Sequence, residues 1–239
     1  MRILLLVVMG LFATTISAQI SLKKLKSASV KAQLYIEKNE LSKEEVVKGL
    51  KEALIIGANN STSEASRKGG FNKNSLIRIP FPEDAKKVKQ TLVKLGMQTQ
   101  VNNFEGKLNE AAEEASNYAK EIFIDAIKKM SINDAMGILK GDDNSATNYL
   151  KEQTFKELYL SFKPSVRNSI KKVRLTEYWS VLVNRYNAIP LTKEVNTDLE
   201  DYITNKTIEG LFVLIEKEEK NIRNNPKSRV SETLQRVFK

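Results

Sequence analysis

Apolar residues are arranged in two ways along this chain. From Ile3 to Ala13 they run without interruption, and beyond residue 40 they recur every three or four positions. The second arrangement is that of helices, each with one buried stripe. Ser42-Lys43-Glu44-Glu45 opens the first of them as a capping box: the serine hydroxyl accepts from a free backbone N–H, and Glu45 reaches back to the cap. Val46, Leu50, Ala53 and Leu54 follow at helical spacing. Polar residues from Asn59 to Lys68, then Gly69-Gly70, read as a loop or a frayed helix end.

The period fails between Phe71 and Pro82. Leu76-Ile77-Arg78-Ile79-Pro80-Phe81-Pro82 is rich in β-branched residues, and its prolines forbid a helix through it. An extended strap or a short strand is expected. Pro82 suits the first turn of the next helix, which carries Val88, Leu92 and Leu95 and stops at Gly96. Met97 to Val101 is expected as a second short strand pairing with the strap, a minor ribbon and not a core.

A long helix should follow. At about 100° per residue, Phe104, Leu108, Ala111, Ala115, Ala119, Ile122 and Ala126 share one narrow stripe. Glu113 falls on the opposite side, Asp125 at the stripe's edge, and Ile124 on the far side, which calls for neighbours on two sides. Ser131-Ile132-Asn133-Asp134 restarts a helix that ends near Gly141. Asp142-Asp143-Asn144 is expected to cap the helix of Tyr149 and Leu150. Pro164 is expected to start another. Thr176 should cap one that holds Tyr178, Trp179, Leu182, Val183 and Tyr186, closed by Ala188-Ile189-Pro190. The helix from Asp198 carries Ile208 to Ile215, apolar on nearly every side, as a central helix would be. Pro226 breaks it, and Leu234, Val237 and Phe238 pack a last helix. No fixed-period repeat is present, which argues against a solenoid. The sum is an all-α fold: a multi-helix bundle with a short extended strap or two-stranded ribbon near residues 71–82 and 97–101.

Certain short motifs occur in a telling order: Gly49-Leu50-Lys51-Glu52-Ala53-Leu54, Ile77-Arg78-Ile79-Pro80-Phe81-Pro82-Glu83, Phe104-Glu105, Ala111-Ala112-Glu113, Gly137-Ile138-Leu139, Gly210-Leu211-Phe212 and Asn225-Pro226. Over roughly residues 41 to 239 the chain resembles the bacterial family called domain of unknown function 4197. The resemblance implies a signal-bearing, mostly helical bacterial protein. It supplies no established activity and no catalytic residues.

The first apolar run gains meaning from its flanks. Met1-Arg2 precedes it, and Thr14-Thr15-Ile16-Ser17-Ala18 follows. A charged start, an apolar core too short to span a bilayer and small residues at the end are the marks of a secretory signal. Residues 1–18 are therefore expected to be a signal peptide, 19–40 a basic leader and 41–239 one helical domain. Export to the periplasm or the exterior is expected. With no cysteine after the signal, a lipid anchor is not.

Composition narrows the chemistry. The chain has 239 residues and a formal charge of +10, with neither cysteine nor histidine. Ser-His-Asp and Cys-His systems cannot be assembled, and zinc lacks its usual ligands. Only oxygen-ligand ions such as Mg or Ca remain compatible. Acid–base work would fall to a carboxylate or lysine shifted by its surroundings. Lysine and glutamate alternate along most of the chain, which marks solvated helix faces and argues against nucleic acid. The local exception is the leader. Lys23, Lys24, Lys26 and Lys31, interleaved with Leu22, Leu25 and Val30, make a soluble lead-in or a weak contact with an anionic membrane surface.

Four residues stand out as ligand-binding candidates. Lys206 falls with Leu199, Ile203, Gly210 and Leu214 on the apolar face of its helix, where an ammonium needs a partner or a lowered pKa. It is a reactive or ligand-holding lysine beside Gly210, or a paired structural one. Arg78, between two isoleucines, is a fixed guanidinium for an anionic ligand or an ion pair locking the strap to a carboxylate such as Glu83 or Glu113. Glu113 and Asp125 complete the set if the helices bring them together. No catalytic residue, cofactor or metal centre is assigned. The leading expectation is a non-catalytic helical envelope protein, a binding or interaction module with an envelope protein as one class of partner. The alternatives are a carboxylate- and lysine-based enzyme on an anionic or glycan substrate, with Mg or Ca, and a carrier of an apolar ligand between helices.

Overall fold

The computed structural model describes residues 42–193, 195 and 197–238. The signal peptide and the basic leader with its four lysines lie outside the described residues. Lys43–Lys239 forms one compact unit. Among the described residues it is all helical, with no strand: α1 (Lys43–Ser66), α2 (Lys86–Lys94), α3 (Gln98–Ser116), α4 (Ala119–Lys129), α5 (Ile132–Lys140), α6 (Ser145–Lys172), α7 (Leu175–Asn187), α8 (Leu199–Asn224) and α9 (Glu232–Val237). Short 3-10 turns occupy Glu83–Ala85 and Pro226–Ser228. The chain is thus an all-α multi-helix fold.

Helix α8 is the centre. It packs on α1, α3 and α6 and buries Ile203, Ile208, Leu211, Phe212, Leu214 and Ile215, while Glu209 and Val213 face out. Gly210 is required by its neighbours. A Cβ there would lie 2.8 Å from the Phe71 ring and 3.2 Å from Ile77, so the strap lies directly on the α8 backbone.

The expected ribbon does not form. Met97 to Val101 is the start of α3. Gly96, at φ +80°, ends α2 in a left-handed cap: its N–H donates to Val93 O, and the Met97 N–H donates to Leu92 O. That turn spends the residues that would have begun a strand. With no second strand to meet, residues 71–77 close into turns, in which the Asn74 N–H donates to Phe71 O and the Arg78 N–H to Asn74 O, and only the stretch from Arg78 to Pro82 is extended.

Four helix boundaries also differ from expectation. Helix α1 runs on to Ser66 through the polar residues expected as a loop or frayed end, burying Ser61, Thr62 and Ala65. The long alanine-rich helix is two, α3 and α4, parted at Asn117-Tyr118. Pro164 sits inside α6, exposed on its solvent side, where the lost hydrogen bond to Leu160 O leaves a carbonyl that water reaches. Helix α7 is preceded by Arg174 in the left-handed region at φ 59°, not capped by Thr176.

The start of α6 is capped from a distance. Asn144 occupies the cap position but its side chain makes no cap bond. Buried Glu219 of α8 accepts instead from the Ala146 N–H at 3.0 Å, the Thr147 N–H at 2.9 Å and the Thr147 hydroxyl at 2.8 Å. Arg223, one turn on, donates to the same carboxylate at 2.9 Å and to Ile138 O. A negative charge at a helix N-terminus meets both the free N–H groups and the helix dipole. Glu219→Ala should destabilise the protein by about 3–5 kcal/mol, because it leaves a mostly buried guanidinium with only the Ile138 carbonyl and a buried helix end unpartnered. Urea unfolding followed by circular dichroism measures this.

Candidate functional site

One row of side chains on α3 organises the region that the sequence singles out. Glu105, Asn109 and Glu113 are four residues apart, so they lie along one face with about 6 Å between successive positions. All three are buried. Each holds a different part of the segment between α1 and α2.

Glu113 takes the start of that segment. It accepts from the Gly69 N–H at 3.0 Å and from the Phe71 and Asn72 N–H groups at 3.1 Å each. Gly69 makes this turn with φ +81°, a conformation open to glycine at little cost. Asn109 takes the middle. Its Oδ1 accepts from the Ile79 N–H and its Nδ2 donates to Ile79 O, both at 2.8 Å, as a neighbouring strand would. Glu105 takes the side chains, pairing with Arg78 at 2.8 Å and with Lys89 of α2. Burial alone raises the Glu105 carboxyl, but the hydrogen bonds and charges of Lys89 and Arg78 outweigh it and hold its pKa below the ordinary glutamate range.

The apolar residues of the strap alternate inward. Ile77, Ile79 and Phe81 are buried and Arg78 and Pro80 face out. Phe81 stacks at 5.0 Å from Phe104 and 5.8 Å from Trp179 of α7. Tyr202 of α8 donates to Pro80 O, and burial, with the nearby charges of Glu83 and Asp84, pushes its pKa up to about 12. It therefore remains a donor at any ordinary pH.

Beside this clamp an open groove of about 930 Å³ runs between α3, the 66–73 loop and Tyr178 of α7. Every carboxylate on its wall is engaged. Glu113 holds the loop, Glu110 pairs with Lys107 at 2.7 Å, and Glu114 pairs with Lys172 at 2.7 Å. The side chains of Lys68 and Lys73 are exposed and, among the described residues, make no hydrogen bond or ion pair. The lining thus balances three lysines against three glutamates, with the unpaired cations Lys68 and Lys73 together on the loop wall.

The four sequence candidates fall in different places. Arg78 and Glu113 belong to the same α3 clamp, but Arg78 pairs with Glu105, not with Glu83 or Glu113. Glu113 is buried, although helical phase alone placed it away from the core stripe, because the strap covers that side. Lys206 is half-buried and pairs with Glu209 at 2.7 Å at the edge of the apolar face. Asp125 is exposed on α4 and, among the described residues, has no hydrogen bond or ion pair. Among the described residues no hydrogen bond or ion pair joins Lys206 or Asp125 to the clamp. Sequence reasoning missed Glu105, Asn109, Lys68 and Lys73. The four-residue spacing of Glu105, Asn109 and Glu113 was the available signal.

Elsewhere the interior is well filled. A cavity bordered by Leu50, Leu54, Ile215 and Phe238 holds about 20 Å³, room for one water molecule. An apolar groove of about 690 Å³ lies on the surface of α1 beside Ile55, Ile56 and Ile132. Among the described residues no helix is long and apolar enough to cross a membrane, and no three acidic residues are grouped to hold a metal ion.

The family model described as Protein of unknown function (DUF4197) matches residues 40–239. The chain belongs to this family. No curated protein and no solved structure matches it. The match covers the whole clamp and groove, so both lie inside the family domain.

Two outcomes are expected. Glu113→Gln replaces an acceptor by an amide donor facing backbone N–H groups. It should cost about 1–3 kcal/mol and speed hydrogen exchange at the Gly69, Phe71 and Asn72 amides. The lowered pKa of Glu105 makes its contribution to stability present above pH 4.5, the ordinary glutamate value, and lost as pH falls through the lowered one. The stability gap between wild type and Glu105→Gln should therefore be constant near neutrality and close at acid pH, read from denaturation midpoints across the range.

Proposed function

We propose that this protein is an exported, non-catalytic binding module that holds an anionic ligand or partner in the groove beside the α3 clamp. The observation that carries the reading is a pair of lysines there. Glu110 and Glu114 are paired with Lys107 and Lys172 and Glu113 is held by the loop backbone, while among the described residues Lys68 and Lys73 meet no carboxylate. Two neighbouring ammonium groups without a partner attract anions to that wall. The absence of histidine and cysteine, and the engagement of Arg78, Glu113 and Lys206 in structural pairs, favour recognition over bond-making. Export rests on the apolar run at residues 3–13 and its small-residue end.

Retention on an immobilised anionic polysaccharide tests the reading. Lys68→Glu/Lys73→Glu should bind at least about tenfold more weakly than wild type. Lys151→Glu/Lys156→Glu makes the same change of net charge on the exposed face of α6 and should bind nearly as wild type does. Equal losses in both variants would reduce the groove to general basicity. Fractionation of native cells, with mass measurement of the N-terminus, checks export. Full-length chain retained inside the cell would refute it.

A further inference from the structure

Helix α9 is joined to the rest of the molecule differently from the other helices. The main core draws residues from each of α1 to α8. Leu234 of α9 instead meets Ala53 of α1 and Ile222 of α8 in a small apolar cluster of its own, on which Ile56 and Phe238 pack. The six residues of Glu232–Val237 are too few to hold a helix unaided in water, so α9 forms because α1 gives it a seat. Its hydrogen bonds are local: the Ser231 hydroxyl accepts from the Leu234 N–H at 3.2 Å, and the Gln235 side chain donates to Arg229 O. What ties it to α1 is side-chain fit and an ion pair, Arg236 with Glu45 at 3.8 Å.

The fit is close. A Cβ at Gly49 would lie 2.8 Å from a Val237 methyl and 2.9 Å from the Thr233 methyl, and its three nearest atoms all belong to α9. The missing side chain at Gly49 therefore makes room for α9. Next to it, Phe238 closes the cavity of about 20 Å³ against Leu50, Leu54 and Ile215. The connector from α8 is folded back by bonds of its own. Pro226–Ser228 forms a 3-10 turn, and Arg229 donates to Ile222 O at 3.1 Å and to Arg223 O at 2.8 Å.

We propose that α9 is an exchangeable arm: the seat on α1 takes the α9 of a second copy in place of its own, and two chains pair by exchanging arms. This goes beyond the groove beside α3 and does not depend on it. The occupant is a second copy because the seat matches α9 residue by residue. Gly49 has no side chain where Thr233 and Val237 enter, the floor under Leu234 and Phe238 is apolar, and the Glu45 carboxylate stands opposite the Arg236 guanidinium. An exchanged pair repeats the contacts of two closed chains, so the two forms differ mainly in the entropy of pairing. In dilute solution the connector keeps α9 at an effective concentration on the order of millimolar, and the closed monomer prevails. Exchange takes over when the connector cannot fold back.

Sedimentation of the full chain tests this. Wild type should be a monomer at micromolar concentration. Deleting Pro226 to Val230 joins α8 directly to Ser231, so α9 cannot turn back onto Ile222, and this variant should sediment as a dimer. Adding Gly49→Leu, which fills the seat, should return it to a monomer. A monomeric deletion variant, or a dimer that survives Gly49→Leu, would overturn the proposal. Should the deletion fail to fold, two point variants with the connector intact decide. Gly49→Leu keeps the arm and blocks the seat, whereas Leu234→Asp keeps the seat and spoils the arm. Each should stay monomeric alone, with the helical signal of wild type by circular dichroism. Mixed in equal amounts near millimolar concentration, they should raise the dimer fraction at least about tenfold over either alone. A mixture no more dimeric than its components would equally refute the exchange.

Discussion

A segment with two prolines and no partner strand cannot satisfy its own backbone, and the architecture around it is built to do so. Ile79 finds in Asn109 the donor and acceptor that a neighbouring strand would have offered. Gly69, Phe71 and Asn72 find a carboxylate. Pro80 O finds a phenol. A buried backbone group without a partner costs as much as a lost hydrogen bond. These side chains are therefore the condition for burying Phe71, Ile77, Ile79 and Phe81, and α3 is the beam to which the strap is pinned.

The same condition shapes the surface beside it. Glu113 cannot serve a ligand and the loop at once, and it serves the loop. Its charge stays beside the groove, but its oxygens are taken up by the loop. Glu219 repeats the device at the head of α6, where one carboxylate does the work of a local cap. In both places a buried acid is tolerated because several short donors surround it. Buried acids serve as connectors in both places, and at α6 a mostly buried arginine joins them. Lys68 and Lys73, by contrast, are left exposed on the loop wall.

Much of this was visible in the chain itself. Periodicity found the helices, the prolines found the strap, and alternation around Arg78 gave its orientation. What stayed hidden was tertiary in origin. Met97 to Val101 resembles a strand by composition, but the left-handed turn at Gly96 commits it to a helix. Asp142-Asp143-Asn144 has the chemistry of a cap, yet a glutamate far along the chain supplies one. Helical phase put Lys206 on the apolar face, at an edge where a long side chain reaches Glu209 and water. Of the candidate site, Glu113 was legible as a residue but not as a clamp, because its role depends on what covers it. Lys68 was read as part of a polar loop, and Lys73 fell in the strap without comment. Their meaning appeared only once every nearby carboxylate was seen to be occupied.

The fit of Phe71 against Gly210 has a bearing on how the chain is made. Their sequence separation is long, so the strap's seat is absent until the last third of the polypeptide has emerged and α8 has formed. Contacts of that reach slow folding and leave apolar surface uncovered in the meantime. A polypeptide cut short before α8 would hold its strap against α3 on one side only, with an aromatic ring open to water. Such a fragment is a natural target for chaperones and proteases, which would make quality control sensitive to whether synthesis reached the end.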